Sequence, residues 1–160
     1  MLKTTLLEIY SNKILVVGII SWAIAQILKF IIFCIINKKI DFSRLFGDGG
    51  MPSGHSATVS SMSIMSGLLY GLGSFEFAIT CMFAIIVMHD AMGVRLETGK
   101  QARAINQIND IIETFKKLEG ITLENSNEKL KEFVGHTPIQ VLTGSILGTI
   151  IAFISFNVWF

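Results

Sequence analysis

Charged residues are scarce in this chain of 160 amino acids. They make up 16% of it, against about 25% in a typical soluble domain, while hydrophobic residues make up 51%. This balance excludes an ordinary soluble domain and predicts a membrane protein. The length suits one domain, which we expect to cover residues 1–160, and the net charge of +1 gives no reason to expect a nucleic-acid partner.

Cysteine is also scarce, which excludes a disulfide framework. The two cysteines, Cys34 and Cys81, stand inside apolar runs rather than in a short polar chain. We therefore expect both to act as small buried hydrophobic side chains.

The chain contains several long apolar stretches. Four of them, residues 14–36, 52–72, 75–94 and 137–160, approach the roughly 20 residues that a membrane-spanning helix needs. The predicted fold is therefore all-α, a polytopic membrane bundle of four transmembrane helices. Small residues in the second and fourth stretches would let helices approach closely: Ser60, Ser63, Gly67, Gly144 and Gly148.

The first stretch has features of a cleaved signal peptide. Lys3 and Lys13 precede an apolar run that contains the small-residue pattern of residues 23–25. The run continues well past that pattern to Ile36, so a retained span is the favoured interpretation.

The distribution of basic residues predicts the orientation. Four spans place both termini on one side, with Lys3 and Lys13, whereas ten of the 13 lysines and arginines fall in the loops on the other side. Basic residues prefer the cytoplasmic side, so these loops and the site that they carry are predicted to face the cytoplasm. The richness in isoleucine, lysine and asparagine is typical of an AT-rich genome, which predicts a bacterial source and a location in the bacterial plasma membrane.

The polar loop of residues 95–135 is predicted to be a cytoplasmic helical segment. Thr98 and Gln101 have the spacing of a capping box, and a second short helix is predicted to begin near Asn125 and Glu128. An apolar stripe recurs at three- and four-residue steps: Ile105, Ile108, Ile112, Phe115 and Leu118. Such a stripe is typical of a helix that packs on the bundle or lies in the membrane interface, and a partner-binding helix is the alternative.

This topology brings ionisable residues to one membrane level. His55, His89 and His136 all stand at cytoplasmic ends of spans, and Lys29 stands in the cytoplasmic half of the first span. Ionisable groups at membrane depth are costly and are functional candidates by default. A single histidine at a helix end is more often a surface or capping residue. The functional candidate is therefore the three histidines together with Lys29, and not any one of them alone.

The second stretch opens with residues that could hold an anion. Pro52 suits the first turn of a helix, where its missing N–H costs nothing. Ser53, Gly54 and His55 would then present backbone N–H groups at the positive end of the helix dipole, an arrangement that binds phosphate.

These residues also resemble a known family. Pro52–His55 resembles the P-S-G-H motif of the type 2 phosphatidic acid phosphatase and vanadium haloperoxidase superfamily, and His136–Gly148 resembles its last motif. The stretch Asp90–Ala102 is similar to the divergent branch of that superfamily, whose chains are also small and nearly all membrane.

The resemblance implies phosphoryl transfer through a phosphohistidine, without a metal or another cofactor. His136 would be the nucleophile, His55 the general acid, and Asp90 a further catalytic residue that orients a histidine or an arginine. The implied phosphate-binding residues are Lys29, Arg44, Ser53, Gly54 and Arg95. The implied substrate is a membrane lipid phosphate or pyrophosphate, and a homodimer stays open as the state of assembly.

The chain departs from the superfamily's pattern at several positions. Lys29 and Arg44 are fifteen residues apart where K-x6-R-P is standard, and Leu130 stands where an arginine precedes the nucleophile. Gln140 stands where an aspartate orients the nucleophilic histidine, and its amide can accept an imidazole N–H without adding negative charge. These departures favour one alternative, a non-catalytic membrane protein that binds or transports an anionic phospholipid. A structural membrane subunit with incidental histidines is the other.

Overall fold

The computed structural model describes residues 2–40, 42, 49–119, 129–132 and 134–160, and of residues 2–6 and 117 it describes the backbone only. Within these ranges the regular structure is entirely helical, in agreement with the predicted all-α membrane bundle. The helices are α1 (Leu2–Ser11), α2 (Lys13–Asn37), α3 (Gly54–Tyr70), α4 (Phe75–Met92), α5 (Val94–Glu119) and α6 (Pro138–Trp159).

The helices α2, α3, α4 and α6 follow the predicted spans to within two residues at each end. Three helical stretches in the described chain are long and apolar enough to cross a membrane: Lys13–Asn37, Phe75–Lys116 and Pro138–Trp159. Helix α3 has 17 residues, at the short end of the range of about 17–25 for a spanning helix, and nine of them are buried. The four predicted spans are therefore three apolar helices around a shorter, more polar one.

Helix α3 forms the centre of the bundle and packs against α2, α4 and α6. Three of its buried serines, Ser61, Ser63 and Ser66, each donate a hydroxyl hydrogen bond to a carbonyl about one turn back. The Oγ of Ser61 lies 2.8 Å from the carbonyl oxygen of Thr58, and the Oγ of Ser63 lies 2.9 Å from that of Val59. These three serines therefore keep the helix surface narrow without leaving their hydroxyls unpaired in an apolar interior.

Two glycines let α6 lie directly against the backbone of α3. A Cβ added to Gly144 would overlap the carbonyl oxygen of Ser53, and one added to Gly148 would overlap that of Ala57. This close approach, expected from the small residues of both helices, brings the start of α6 beside the start of α3.

We expect Gly148→Ala to destabilise the bundle by about 1–3 kcal/mol, because its methyl group has to displace the α3 backbone. The measurement is thermal unfolding of the purified protein in detergent. Gly73→Ala is the matched control, since a Cβ there meets no atom within 4 Å. Equal melting temperatures for the two variants would contradict the close packing.

Helix α5 differs from the prediction for the polar loop. It follows α4 across Gly93, whose N–H donates to the carbonyl of His89, so Thr98 and Gln101 lie inside a helix and do not cap its start. The predicted second helix near Asn125 and Glu128 begins outside the described residues, and residues 129–132 are not helical.

The apolar stripe of α5 is exposed at all five positions, so it does not pack on the described part of the bundle. Two of the predicted alternatives for the stripe remain: it lies in the membrane interface, or it binds a partner. Cys34 and Cys81 are free and only half-buried, so the prediction that both are buried is wrong.

Candidate functional site

Two histidines from different elements face each other at one end of the bundle. His55 lies in the first turn of α3, and His136 lies two residues before α6. Their ring centroids are 5.9 Å apart in an edge-on arrangement, and His136 is only 2% exposed. The third histidine, His89, is exposed on α4, so the structure brings together two of the three predicted histidines.

Hydrogen bonds at the start of α6 orient His136. Its backbone N–H donates to the carbonyl of Ala91, and its ring Nδ1 lies 3.4 Å from Oε1 of Gln140. The same Oε1 accepts the backbone N–H of Thr137 at 3.0 Å, as in a capping box. The three-residue spacing of Thr137 and Gln140 is the sequence signal of this capping box. The prediction placed a capping box at Thr98 and Gln101 instead. Gln140 thus couples the orientation of the His136 ring to the helix start.

The surroundings of His136 keep its ring neutral. Burial is the main cause that lowers the pKa of His136 below its ordinary value of 6.5, and the charges of His55 and Lys29 lower it further. Hydrogen bonds with Gln140 and with the backbone of Gly50 act in the opposite direction. A neutral imidazole has a lone pair available for attack or for proton uptake.

Lys29 supplies a buried positive charge to the same place. Its side chain is 8% exposed, and its methylene groups pack on Gly50, where an added Cβ would lie 3.2 Å from Cγ and Cδ. Gly50 has a φ of +89°, a conformation that favours glycine. Gly50, just before α3, therefore packs over the Lys29 side chain, and the charge of Lys29 acts on His136.

Two residues of α2 near the site were absent from the predicted set. Trp22 and Gln26 lie beside Gly54, and Oε1 of Gln26 is a buried atom without a hydrogen-bond partner among the described residues. Spacings of four and three residues place Trp22, Gln26 and Lys29 on one face of α2, which is the signal that could have found them.

The start of α3 differs from the predicted anion site. Ser53 is the N-cap, and its hydroxyl accepts the backbone N–H of Ser56, so Pro52 precedes the helix instead of occupying its first turn. The Ser53 N–H donates to the carbonyl of Gln140 at 3.0 Å. The Ser53 amide, which was predicted to bind phosphate, therefore joins α3 to α6 instead.

Asp90 and Arg95 form an ion pair at the junction of α4 and α5. The Nε of Arg95 lies 2.9 Å from a carboxylate oxygen of Asp90, and both side chains are nearly half exposed. Asp90 is therefore paired with Arg95, and its catalytic role stays a prediction. Arg44 lies outside the described residues.

A clamp from α5 holds the segment that leads into His136. The side chain of Asn106 donates to the carbonyl of Leu130 and accepts its N–H, both at 3.0 Å. Asn106 also donates to Glu132 at 2.9 Å, and Arg103 pairs with the other carboxylate oxygen at 3.3 Å. These bonds hold the pKa of Glu132 below its usual value, the one from Asn106 most of all. We call these four residues the Asn106 clamp.

Close backbone contacts extend the clamp toward His136. A Cβ on Gly99 would lie 2.7 Å from the carbonyl oxygens of Glu132 and Val134. Gly135, with a φ of +87°, lies against the backbone of Leu96 in the same way. The first half of α5 therefore fixes the path of the chain over the residues just before His136.

An apolar cavity of about 370 Å³ lies between α2, α3 and α4. Trp22 and His55 line it near the histidine pair, while Leu15 and Met62 line it farther from the start of α3. Within the described residues there is no group of three or more histidines, cysteines or carboxylates that could hold a metal.

Comparisons with known proteins find one family and one curated relative for this chain. The model of the Divergent PAP2 family matches residues 10–151. The chain is 36% identical over 152 residues to the uncharacterized membrane protein YuiD of Bacillus subtilis (strain 168), covering 92% of this chain and 96% of that protein. No solved structure matches the chain. A match over this length shows that the chain belongs to the divergent PAP2 family.

Proposed function

We propose that this membrane protein is a phosphatase that hydrolyses a lipid phosphate or pyrophosphate through a phosphohistidine. The observation that carries the proposal is the pair formed by His55 and His136, 5.9 Å apart at the end of the bundle. A nucleophile and a proton donor have to lie on opposite sides of one phosphorus atom, and this spacing leaves room for a phosphoryl group between reacting nitrogens.

The first step forms a bond between His136 and phosphorus. A nitrogen of the neutral His136 ring attacks, the bond from phosphorus to the lipid oxygen breaks, and protonated His55 gives its proton to that oxygen. In the second step His55 takes a proton from water, and the resulting hydroxide attacks the phosphohistidine. Inorganic phosphate leaves, and both rings return to their initial protonation states.

Gln140 supports this assignment of His136. Its Oε1 lies 3.4 Å from Nδ1 and favours a proton on that nitrogen, so Nε2 keeps the lone pair that attacks phosphorus. An amide has no charge to stabilise an imidazolium, and this agrees with the lowered pKa of His136. A neutral ring suits a nucleophile better than a proton donor.

Positive groups are needed for the equatorial oxygens of the phosphoryl group. Lys29 is the buried cation whose field reaches His136, and the Gly54 amide adds the positive end of the α3 dipole. Arg44 and Arg95 stay predictions, and Arg95 has to exchange Asp90 for phosphate to take part. A cytoplasmic location of the site also stays a prediction, supported by the basic loops.

The test is phosphate release by purified protein from a panel of lipid monophosphates and pyrophosphates in mixed micelles. We expect turnover in the presence of a chelator, inhibition by vanadate, and an acid-labile phosphoenzyme when the reaction is quenched early. Vanadate is informative because it mimics pentacoordinate phosphorus. Tight headgroup binding without phosphate release from any lipid would refute the phosphatase and leave the non-catalytic lipid-binding alternative.

A further inference from the structure

We propose that α5 lies in the membrane interface, with its apolar stripe inserted among the lipids and the Asn106 clamp on its opposite side. The partner of the stripe is thus a lipid surface, rather than a second copy of the chain or another protein. The proposal concerns a surface outside the histidine pair and does not depend on phosphatase activity.

The apolar stripe of α5 is a large exposed surface. Its five side chains are between 43% and 78% exposed. Among the described helices, α5 packs against α4 alone. A contiguous apolar surface marks a site where another apolar surface is in contact, so lipid, a second copy or another protein has to cover the stripe.

The two sides of α5 have different surroundings. At about 100° per residue the stripe covers an arc of about 140°, and Ile111, which is also exposed, lies inside it. Asn106 lies about 170° around the helix from the middle of the stripe, and Gly99 and Ala102, which are also buried, share its side. The clamp therefore occupies one side of α5, and the stripe faces away from it.

The width of the stripe favours a lipid surface over a second copy of α5. Two helices in a coiled coil bury a narrow seam of two positions per heptad. Ile111 and Leu118, which are 56% and 78% exposed, lie outside the seam that the other four residues of the stripe would form. A bilayer covers the whole arc, whereas a partner helix would leave these two side chains in water.

The charges around the stripe suit a membrane interface. Lys100 and Lys116 lie within about 20° of its two edges, where their long stems can carry the ammonium groups to the lipid headgroups. Asp110 and Glu113 lie on the side of the clamp, and Asp110 pairs there with Lys129 at 3.5 Å. The stripe is thus bordered by basic residues, as is typical of a helix that lies on a membrane.

The composition and the position of α5 agree with this location. Nine of its 26 residues are charged, so the helix is too polar to span a bilayer, and the two glutamates in the arc of the stripe, Glu97 and Glu119, lie beyond its ends. Only Gly93 separates α5 from α4, a helix apolar enough to cross the membrane. The carbonyl of Ala91, at the end of α4, accepts the N–H of His136. Helix α5 therefore starts where α4 leaves the membrane, at the level of the histidine pair.

The experiment measures the depth of spin labels on α5 in vesicles of phosphatidylcholine and phosphatidylglycerol. The full-length protein, with Cys34 and Cys81 replaced by alanine, carries one label, at Ile108→Cys in the stripe or at Glu113→Cys as the matched control. Glu113 is on the same helix, about 140° around it from Ile108. Collisions with oxygen and with a water-soluble nickel chelate report the depth. We expect the label at position 108 to lie about 5–10 Å below the lipid phosphates and the label at position 113 to lie in water.

The other outcomes overturn the proposal. Equal accessibility of the two labels, whether to oxygen or to the nickel chelate, would show that the stripe does not face lipid. Spectral broadening of the label on Ile108→Cys that disappears on dilution with unlabelled protein would show that a second copy covers the stripe. If Ile108→Cys does not fold, Phe115→Cys and Asn109→Cys give the same comparison, because Phe115 belongs to the stripe and Asn109 does not. None of these results depends on phosphate release, so the phosphatase is tested separately.

Discussion

Replacing His136 with alanine is expected to lower kcat/KM for lipid phosphate by about 10³-fold or more, because the nucleophile of the first step is removed. Since His136 is buried, a second variant, His136→Asn, retains an amide that can hydrogen-bond to Gln140 while lacking a nucleophilic nitrogen. Both variants are to be compared with the unaltered protein by phosphate release and by acid-quench detection of the phosphoenzyme. A phosphoenzyme in either variant would exclude His136 as the nucleophile.

Removal of the partner histidine belongs to the same experiment. His55→Ala is expected to lower kcat/KM by about 10²–10⁴-fold, the usual contribution of a general acid. The double variant is expected to be about as active as the less active of the two single variants. Residues that act as a unit give non-additive losses, because removing either one already abolishes their joint contribution. His89→Ala is the matched control, since His89 is exposed on α4 and is not part of the pair. Additive losses in the double variant would contradict a joint role.

The pH dependence gives a further readout of the same step. The pKa of His136 is lowered from 6.5, so the ring loses its proton at a lower pH than a free histidine does. The acid limb of kcat/KM is therefore expected below pH 6.5, with activity falling as the pH decreases through the lowered pKa. The unfolded chain binds this proton more readily than the folded one, so His136 also makes the free energy of unfolding decrease as the pH falls below 6.5. An acid limb above pH 6.5 would contradict a buried neutral nucleophile.

The sequence predicts four of the six described helices well, α2, α3, α4 and α6, because long apolar runs indicate membrane helices. It also places His55 and His136 at the same end, since each begins a span and the spans alternate in direction. The prediction is wrong at the start of α3, because Ser53 is the N-cap and Pro52 precedes the helix. The backbone N–H of Ser53 donates to the carbonyl of Gln140. Local propensity shows which residues begin a helix, whereas the partner of each amide depends on how two distant helices pack.

The Asn106 clamp shows the same limit at greater sequence separation. Asn106 and Leu130 are 24 residues apart, and the pattern of α5 shows only an amphipathic helix with two asparagines on it. The pairing depends on where the chain returns before His136, and the sequence carries no periodic signal for that return. Asp90 and Arg95 are closer in sequence, but a histidine and an arginine were both open as partners of Asp90, and the structure pairs it with Arg95.

Replacing Asn106 with alanine is expected to lower kcat about 10–100-fold with little change in KM. The clamp lies outside the groups proposed to bind the lipid, whereas it fixes the chain leading into His136, and a displacement of about 1 Å of a reacting group can cost 10²-fold in rate. Asn109→Ala is the matched control, because Asn109 is exposed on the same helix. The kinetic measurement is the rate of phosphoenzyme formation in a single turnover, compared with the KM for the same lipid.

Hydrogen exchange distinguishes a positioning role from general destabilisation. In Asn106→Ala, exchange is expected to accelerate at residues 129–135 and to stay unchanged in α3 and α6, because the lost bonds join α5 only to that segment. Asn106→Asp keeps the acceptor for the Leu130 N–H but loses the donor to Glu132 and adds a like charge beside it, so it is expected to recover only part of the rate. Full activity of Asn106→Ala, or faster exchange throughout the bundle, would show that the clamp does not position His136.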